Sequence, residues 1–438
     1  MRKLTLFFAF TLVVNGFTGV AQTAPKPYEV ATWAGFRQAA ISYTFDDGCS
    51  NQFKVAIPLF DEYGFNLTMF TVKDWSGANW SALKTASDKG HEIASHTVTH
   101  ANFSQVTITQ QETELKDSKT AIEGQITNKK CLTMAYPYCV AGVDSICGKY
   151  YISARGCQGF VEGKTPASYY NISSVICGDK GATQNLSQFK TNFSAVAKSN
   201  GWLVYLFHGI DKDGGYSPIT SIELRKSVAY LAARKPKFWV TTFLNATLYS
   251  KERNAVSVTE TATTDSSMTL QVTDNLADSI YNYPLSIRRP LPEGWPSASV
   301  TQNNVAVPFR IVQVDAVVYL IFDVVPDAGE VKILKSSTFV TPEVDIIPAD
   351  DVDPVVVNRL DATKDDISAV YNNNRILISL PITVCSDFVI SVYDVRGVKL
   401  FYTNVSVASN EISVDVPSLK TGVYFVRQNV WSKKIAVS

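Results

Sequence analysis

Histidine is scarce in this chain, with four in 438 residues, and net charge is missing altogether, since forty Lys and Arg balance forty Asp and Glu. A balanced chain carries no electrostatic footprint for a nucleic acid or an anionic membrane surface, so neither is expected as a partner. No Cys-x2-Cys pair occurs among the seven cysteines, which argues against a structural zinc cluster. Beyond the N-terminus no apolar run is long enough to span a bilayer, so no transmembrane segment is expected in the mature protein.

What is present first sets the compartment. Arg2 and Lys3 precede an apolar stretch from Leu4 to Val14, and the small residues Gly19 and Ala21 follow. That order is the pattern of a secretory signal peptide, residues 1–21, cut after Ala21. In an exported chain, seven cysteines suggest disulfides with one thiol left over. Six of them (Cys49, Cys131, Cys139, Cys147, Cys157 and Cys177) fall in the first half, and Cys385 stands alone downstream.

The histidines cluster in the first half. His96-Thr97-Val98-Thr99-His100 places two imidazoles four residues apart, which on a helical turn puts their Cβ atoms about 5–6 Å apart on one face. Earlier, the run Ala39-Ala40-Ile41-Ser42-Tyr43 reads as a buried strand that closes on Thr44-Phe45-Asp46-Asp47-Gly48. A carboxylate from that strand end completes a His2Asp set and leaves a coordination position for water, an arrangement for hydrolysis rather than support. Either piece alone is weak, because an Asp-Asp-Gly turn is usually a solvated loop and a lone His-x3-His pair is usually an accident. His208 ends another apolar run, Trp202-Leu203-Val204-Tyr205-Leu206-Phe207, whereas His91 fits no pattern and reads as structural or rim.

Taken in order, Thr44-Phe45-Asp46-Asp47-Gly48, His96-Thr97-x-x-His100, Tyr136-Pro137-Tyr138 and Leu206-Phe207-His208 resemble the motifs of the polysaccharide deacetylases, the NodB-homology domains of carbohydrate esterase family 4. The resemblance spans roughly Ala39 to Tyr249. It implies Asp47, His96 and His100 as ligands of zinc or another divalent metal such as cobalt, with Asp46 as general base and His208 as general acid. It also implies the backbone N–H of Tyr138 at the oxyanion and Leu206 beside the acetyl methyl group. On a strand end the two adjacent carboxylates are expected to diverge, one towards metal and one towards substrate. Trp75 and Trp80, in a Gly/Asn/Ser-rich stretch, are the candidates for stacking on sugar rings.

One motif departs from the family. Many members read Arg-Pro-Pro-Tyr-Gly where this chain has Ala135-Tyr136-Pro137-Tyr138-Cys139. The family arginine pairs with the base and Ala135 cannot, which would raise the Asp46 carboxyl and move the pH optimum to the alkaline side. Arg155, in Ser153-Ala154-Arg155-Gly156, would prevent this if it substitutes from the next strand, although such an arginine is more often a surface or structural residue. Cys139 stands where glycine is usual, so a Cys49–Cys139 disulfide pinning two active-site loops is one reading and ordinary pairing elsewhere another.

Short apolar runs alternating with amphipathic stretches argue for parallel strands and crossover helices. Seven strand candidates, Ala40–Phe45, Asn66–Val72, Glu92–Ser95, Leu132–Tyr136, Ile152–Ala154, Leu203–Phe207 and Phe238–Phe243, fit the irregular (β/α)7-type barrel that the resemblance implies over residues 22–250. Residues 251–338, rich in Val, Thr and turn signals, read as a β-sandwich accessory domain, and 339–366 as an acidic, Pro-containing linker. The all-β segment 367–438, with Gly422-Val423-Tyr424 and a basic, β-branched terminus, resembles the C-terminal sorting domains of the type IX secretion system. If so, it implies the type IX machinery as a partner and a secreted or cell-surface protein that crosses the periplasm and outer membrane; a second sandwich that binds carbohydrate or merely spaces the enzyme is the plainer reading.

The leading functional expectation is a secreted, metal-dependent deacetylase of an N-acetylated polysaccharide, chitin-type or peptidoglycan. An acetylxylan-type O-acetyl esterase shares metal, base and acid, and a non-catalytic surface glycan-binding protein is the alternative from another class.

Overall fold

The computed structural model describes residues 27–127, 129–345, 347, 368–372, 375–394, 399–416, 418–428 and 431–437; the signal-peptide reading at 1–21 and most of the linker at 339–366 lie outside them. A short strand β1 (Glu29–Val30) precedes the alternation of strands and helices. β2 (Ala39–Asp46), α1 (Ile57–Tyr63), β3 (Thr68–Thr71), α2 (Trp80–Asp88), β4 (Glu92–Ser95) and α3 (Ile108–Gln125) make its first half. β5 (Thr133–Ala135), α4 (Asp144–Cys147), β6 (Ser153–Arg155), β7 (Val175–Ile176), α5 (Leu186–Ser199), β8 (Trp202–Phe207), α6 (Ser221–Ala232), β9 (Phe238–Val240) and α7 (Phe243–Ala255) complete it. Parallel pairing orders the strands β6-β5-β4-β3-β2-β8-β7, with β9 beside the first residues of β2, in a curled half-barrel. The two-residue β7 was not among the expected strands; it is too short to carry a period-2 pattern.

Local chemistry fixes the helix starts. Thr107 and Gln110 form a reciprocal capping box on α3, and Asn185, Thr220 and Thr242 each accept the N–H three residues on at α5, α6 and α7. Gly64 ends α1 at a φ of 66°, the left-handed cap that glycine adopts without a steric penalty.

Alternation along the strands then decides what each side chain meets. Ile41, Tyr43 and Phe45 of β2 join Leu203, Tyr205 and Phe207 of β8 in the main core beneath the helices. Residues of the other parity line the inner face, where Ala40, Phe70, Ala94, Trp202 and Val204 pack on Trp33 and on Phe243, Ala246 and Tyr249 of α7. Because the α7 N-terminus bonds Thr68 and Glu92, at the starts of β3 and β4, this plug closes the N-terminal end of the barrel. The inner-face positions at the strands' C-terminal ends are left to polar side chains, as in parallel barrels generally.

β10 (Ser257–Thr263), β11 (Ser267–Thr273), β12 (Leu285–Pro290), β13 (Ser297–Gln302), β14 (Val305–Ala306), β15 (Phe309–Val314), β16 (Val317–Val324) and β17 (Val331–Ser336) form two antiparallel sheets around one core. β1 joins the first of them, Glu29 opposite Arg288 and Val30 opposite Ile287, so the segment that leads into β2 stitches this unit to the barrel. β18 (Ser368–Asn372), β19 (Arg375–Asp394), β20 (Lys399–Asp415), β21 (Gly422–Gln428) and β22 (Trp431–Val437) make a third antiparallel sheet over Ile376, Ile390, Val392, Val426 and Ile435. Among the described residues no helix is long and apolar enough to cross a membrane.

Candidate active site

Four strand ends meet at the open end of the barrel. Asp46 is the last residue of β2, His96 follows β4, Arg155 ends β6 and His208 follows β8. All four continue the inner-face parity of their strands. Asp47 and His100 reach the same point by left-handed backbones, with φ of 73° and 61°.

Two expectations about local geometry are corrected here. Residues 96–100 are not a helical turn: Thr97 and His100 both have positive φ, and the irregular loop after β4 folds the two imidazoles to a ring separation of 4.9 Å. Nor do the adjacent carboxylates diverge. Strand alternation ends at Asp46, and the left-handed Asp47 swings back, so Asp46 Oδ2 and Asp47 Oδ1 each lie 3.7 Å from His96 Nε2.

Asp47 Oδ1 is also 3.6 Å from His100 Nε2, and the three ligand atoms of Asp47, His96 and His100 lie within 4.8 Å of one another. This set fits a divalent cation. Asp47 Oδ1 is buried without a hydrogen-bond partner, and burial, followed by the Asp46 charge, pushes its carboxyl up to about 7. A carboxylate so hard to ionise alone is one that a cation would stabilise. Burial pulls His96 down to about 4 and also lowers His100, so both imidazoles are neutral donors. His96 Nδ1 hydrogen-bonds the Ala135 carbonyl at 2.8 Å, which leaves Nε2 facing the carboxylates.

Arg155 supplies what Ala135 lacks. The two residues are paired on adjacent strands β5 and β6, and both face inward. The small Ala135 leaves room for the fully buried Arg155 guanidinium, whose Nη2 donates to Asp46 Oδ2 at 2.5 Å. Burial alone would raise the Asp46 carboxyl, but Arg155, with His96 and His208 behind it, outweighs that and holds it below its ordinary value. The condition that would have moved the pH optimum to the alkaline side is therefore not met.

His208 Nε2 is 3.9 Å from Asp46 Oδ2 and from Asp47 Oδ2. Burial lowers it too, and its Nδ1 is buried without a partner. Leu206 lies two residues before it on the same inner face, 2% exposed. Trp75, half exposed, and Tyr138, at 62%, flank the His100 ring at 4.9 and 4.6 Å, while the exposed Tyr216 abuts His208 at 5.2 Å. Trp80 is not brought to the site; it opens α2 and packs against the main core. His91 is structural, bonded to Asp61 and to the Leu67 N–H.

The disulfide is Cys139–Cys157, Cα atoms 5.6 Å apart, and not Cys49–Cys139. It ties the loop of Tyr138, where Tyr138 and Cys139 both have positive φ, to the segment just after Arg155; Cys49 is free. The sequence reading singled out neither Tyr216, one aromatic among several, nor Gln52. Tyr216 has no motif around it, and Gln52, buried behind Asp46, is an ordinary polar residue until the fold brings His208 beside it.

Residues 35–146 match the family model for polysaccharide deacetylases, and residues 372–437 match that for a secretion system C-terminal sorting domain. A Bacillus sp. protein named gellan lyase is 28% identical over 331 residues, which is 70% of this chain and 13% of that one. "Putative polysaccharide deacetylase YxkH" of Bacillus subtilis is 27% identical over 104 residues, covering 23% of this chain and 37% of its own length. The chain thus spans well under two thirds of either relative. Among solved structures, the Xyl-CE4 domain of a multidomain xylanase from the hindgut metagenome of Trinervitermes trinervoides is 17% identical, with a TM-score of 0.37, over 50% of this chain and 92% of that domain. With a parallel half-barrel that gathers the motif residues at one end, the chain carries a polysaccharide deacetylase domain, followed by a secretion system C-terminal sorting domain.

Proposed function

We propose that the protein is an exported, metal-dependent hydrolase that removes N-acetyl groups from a glycan polymer of the chitin or peptidoglycan type. One observation carries this reading: the Asp46 carboxylate is held by Arg155 on one side, with the Asp47–His96–His100 set and His208 facing it on the others. A buried carboxylate with one unpartnered oxygen, Asp46 Oδ1, suits a group that engages a reactant better than one that only supports a binding surface.

A divalent metal such as zinc or cobalt, held by Asp47, His96 and His100, would supply Lewis acidity for the acetyl carbonyl and for an attacking water. The chain's own groups divide the rest of the work. Asp46 takes the proton of the attacking water, and the Arg155 guanidinium keeps it ionised for that purpose. His208 gives a proton to the departing amine, and the proton that Asp46, 3.9 Å away, takes from water replaces it. Leu206, on the same face, bounds the acetyl methyl group, and the Tyr138 backbone N–H faces the oxyanion. Trp75, Tyr138 and Tyr216 offer exposed rings around the pocket on which sugars stack. Removal of the signal peptide after Ala21 and passage through the type IX machinery would deliver the enzyme to the surface or the medium.

The test is acetate release by the zinc- or cobalt-loaded mature protein from N-acetylglucosamine oligomers and from acetylated xylan, with Asp46→Asn as control. Release from the oligomers that vanishes in the variant supports the proposal. Release from xylan alone makes the protein an O-acetyl esterase, and no release from either with metal bound points to another glycan as substrate or to a glycan-binding protein.

A further inference from the structure

Beyond the last paired residues of β2 and β8, Phe45 opposite Phe207, the ladder between these strands ends. Asp46 and His208 are the next residue on each strand, and one side chain bridges them. Gln52, fully buried, donates from Nε2 to the Asp46 carbonyl at 2.6 Å and to the His208 carbonyl at 2.9 Å. Two carbonyls are both acceptors and cannot bond each other. A primary amide, whose nitrogen carries two hydrogens, is the simplest side chain that can join them. The same two acceptors fix the orientation of the amide, since the reverse would set oxygen against oxygen.

The rest of the amide argues against a merely space-filling role. Gln52 Oε1 is buried with no partner, an unfavourable state that an apolar side chain of similar size would avoid. Gln52 begins the π-helical turn Gln52–Ala56, four residues after Gly48 of the Asp46-Asp47-Gly48 segment. Its neighbour Asn51 reinforces the junction, donating from Nδ2 to the Ile210 carbonyl at 2.9 Å and from its backbone N–H to Asp213 at 3.1 Å.

We propose that Gln52 is a positioning residue that holds the His208 imidazole at its working distance from the Asp46 carboxylate. This rests on the deacetylase reading, in which the two are acid and base. The Asp46 carboxylate is already fixed by Arg155, and His96 by its bond to Ala135. His208 has no such support, because its Nδ1 lacks a partner, so its aim depends on its main chain, which Gln52 grips.

The experiment compares wild type, Gln52→Leu, His208→Ala and the double variant, all metal-loaded and checked for folding by circular dichroism and melting. Substrates are an N-acetylglucosamine oligomer and 4-nitrophenyl acetate, whose leaving group needs no proton. Gln52→Leu should lower kcat on the oligomer about a hundredfold with KM within about twofold, as loss of acid catalysis does, and should barely affect the aryl ester. In the His208→Ala background the same substitution should cost less than about twofold more. An equal loss on both substrates, or full additivity, overturns the proposal. The crystal structure of Gln52→Leu gives a readout independent of activity: an unchanged 3.9 Å between His208 Nε2 and Asp46 Oδ2 overturns the proposal even if the wild type proves not to be a deacetylase.

Discussion

Two buried carboxylate centres sit at opposite ends of the same half-barrel. At the N-terminal end, Glu92 accepts from the hydroxyls of Thr68 and Thr133 and from the Leu244 N–H, which caps α7, and both of its oxygens are used. At the C-terminal end, Asp46 and Asp47 each keep a buried oxygen without a partner, among three imidazoles and a guanidinium. Burial raises the carboxyls of Glu92 and Asp47, and at Asp46 it is outweighed by Arg155. The inner-face parity is shared; the difference is satisfaction. A fully bonded carboxylate ties elements together, while one with spare valence beside cationic and donor groups is set up to engage something that comes and goes.

The largest expected effect comes from breaking the Asp46–Arg155 pair. Arg155→Ala should lower acetate release about 10²–10³-fold, by leaving the base without the charge that keeps it ionised. It should also destabilise the barrel by about 3–5 kcal/mol, the usual cost of orphaning one member of a buried pair. Because Ala135 and Arg155 are paired across β5 and β6, adding Ala135→Arg in the Arg155→Ala background should return at least about tenfold of the lost rate. No recovery in a folded double variant would mean that the two positions are not interchangeable.

That exchange also marks where the sequence stopped being informative. The identities of Asp46, Asp47, His96, His100 and His208 could be read directly, because their motifs follow one another in one order. Seven of the eight strands of the parallel sheet could be read too, all but the two-residue β7. Whether Arg155 replaces the missing arginine could not, because it depends on the register of β5 against β6, a tertiary property. The left-handed backbones of Asp47 and His100 were hidden for a related reason: neither is a glycine, so nothing local signals positive φ. The partners of Cys139 and Gln52 lie 18 and 156 residues away, and only the folded chain brings them together.

Smaller is the effect of withdrawing the cation. If Asp47, His96 and His100 hold a metal, a chelator should lower the melting temperature of the wild type. The loss is about 2.7 kcal/mol when metal had been present at roughly a hundredfold its Kd. Asp47→Ala should melt alike with and without chelator, and an equal response of both proteins would place the metal elsewhere. Glu92→Gln is the counterpart at the other end. It sets an amide N–H₂ against existing donors and should cost about 1–3 kcal/mol of stability. Metal affinity, measured by titration on the folded variant, should stay as in wild type, and a large drop would collapse the distinction between the two ends.

The smallest effect tests whether an unpartnered buried oxygen is by itself a sign of function. Glu252, on α7, has one oxygen bonded to the Tyr283 N–H at 2.7 Å and the other, Oε2, buried without a partner. Unlike Asp46, it faces no guanidinium or imidazole; the titratable groups that bear on it are the acids Asp274 and Asp278 and the nearby Tyr281 and Tyr283. Burial first, opposed by the Tyr283 N–H and then assisted by those acids, pushes its carboxyl from 4.5 up to about 7. The folded state thus keeps its proton between these values while the unfolded chain has already lost it. Stability from this group is fully present below pH 4.5, falls as pH rises through about 7 and is flat above. Glu252→Gln removes the titration, so it should melt like the wild type near pH 4.5 and about 2–4 °C higher at pH 8. A gap that stays constant with pH would mean that Glu252 ionises freely in the folded protein. An unpartnered oxygen would then not suffice to hold a proton at this site, and Asp46 would need no cationic neighbours to stay ionised.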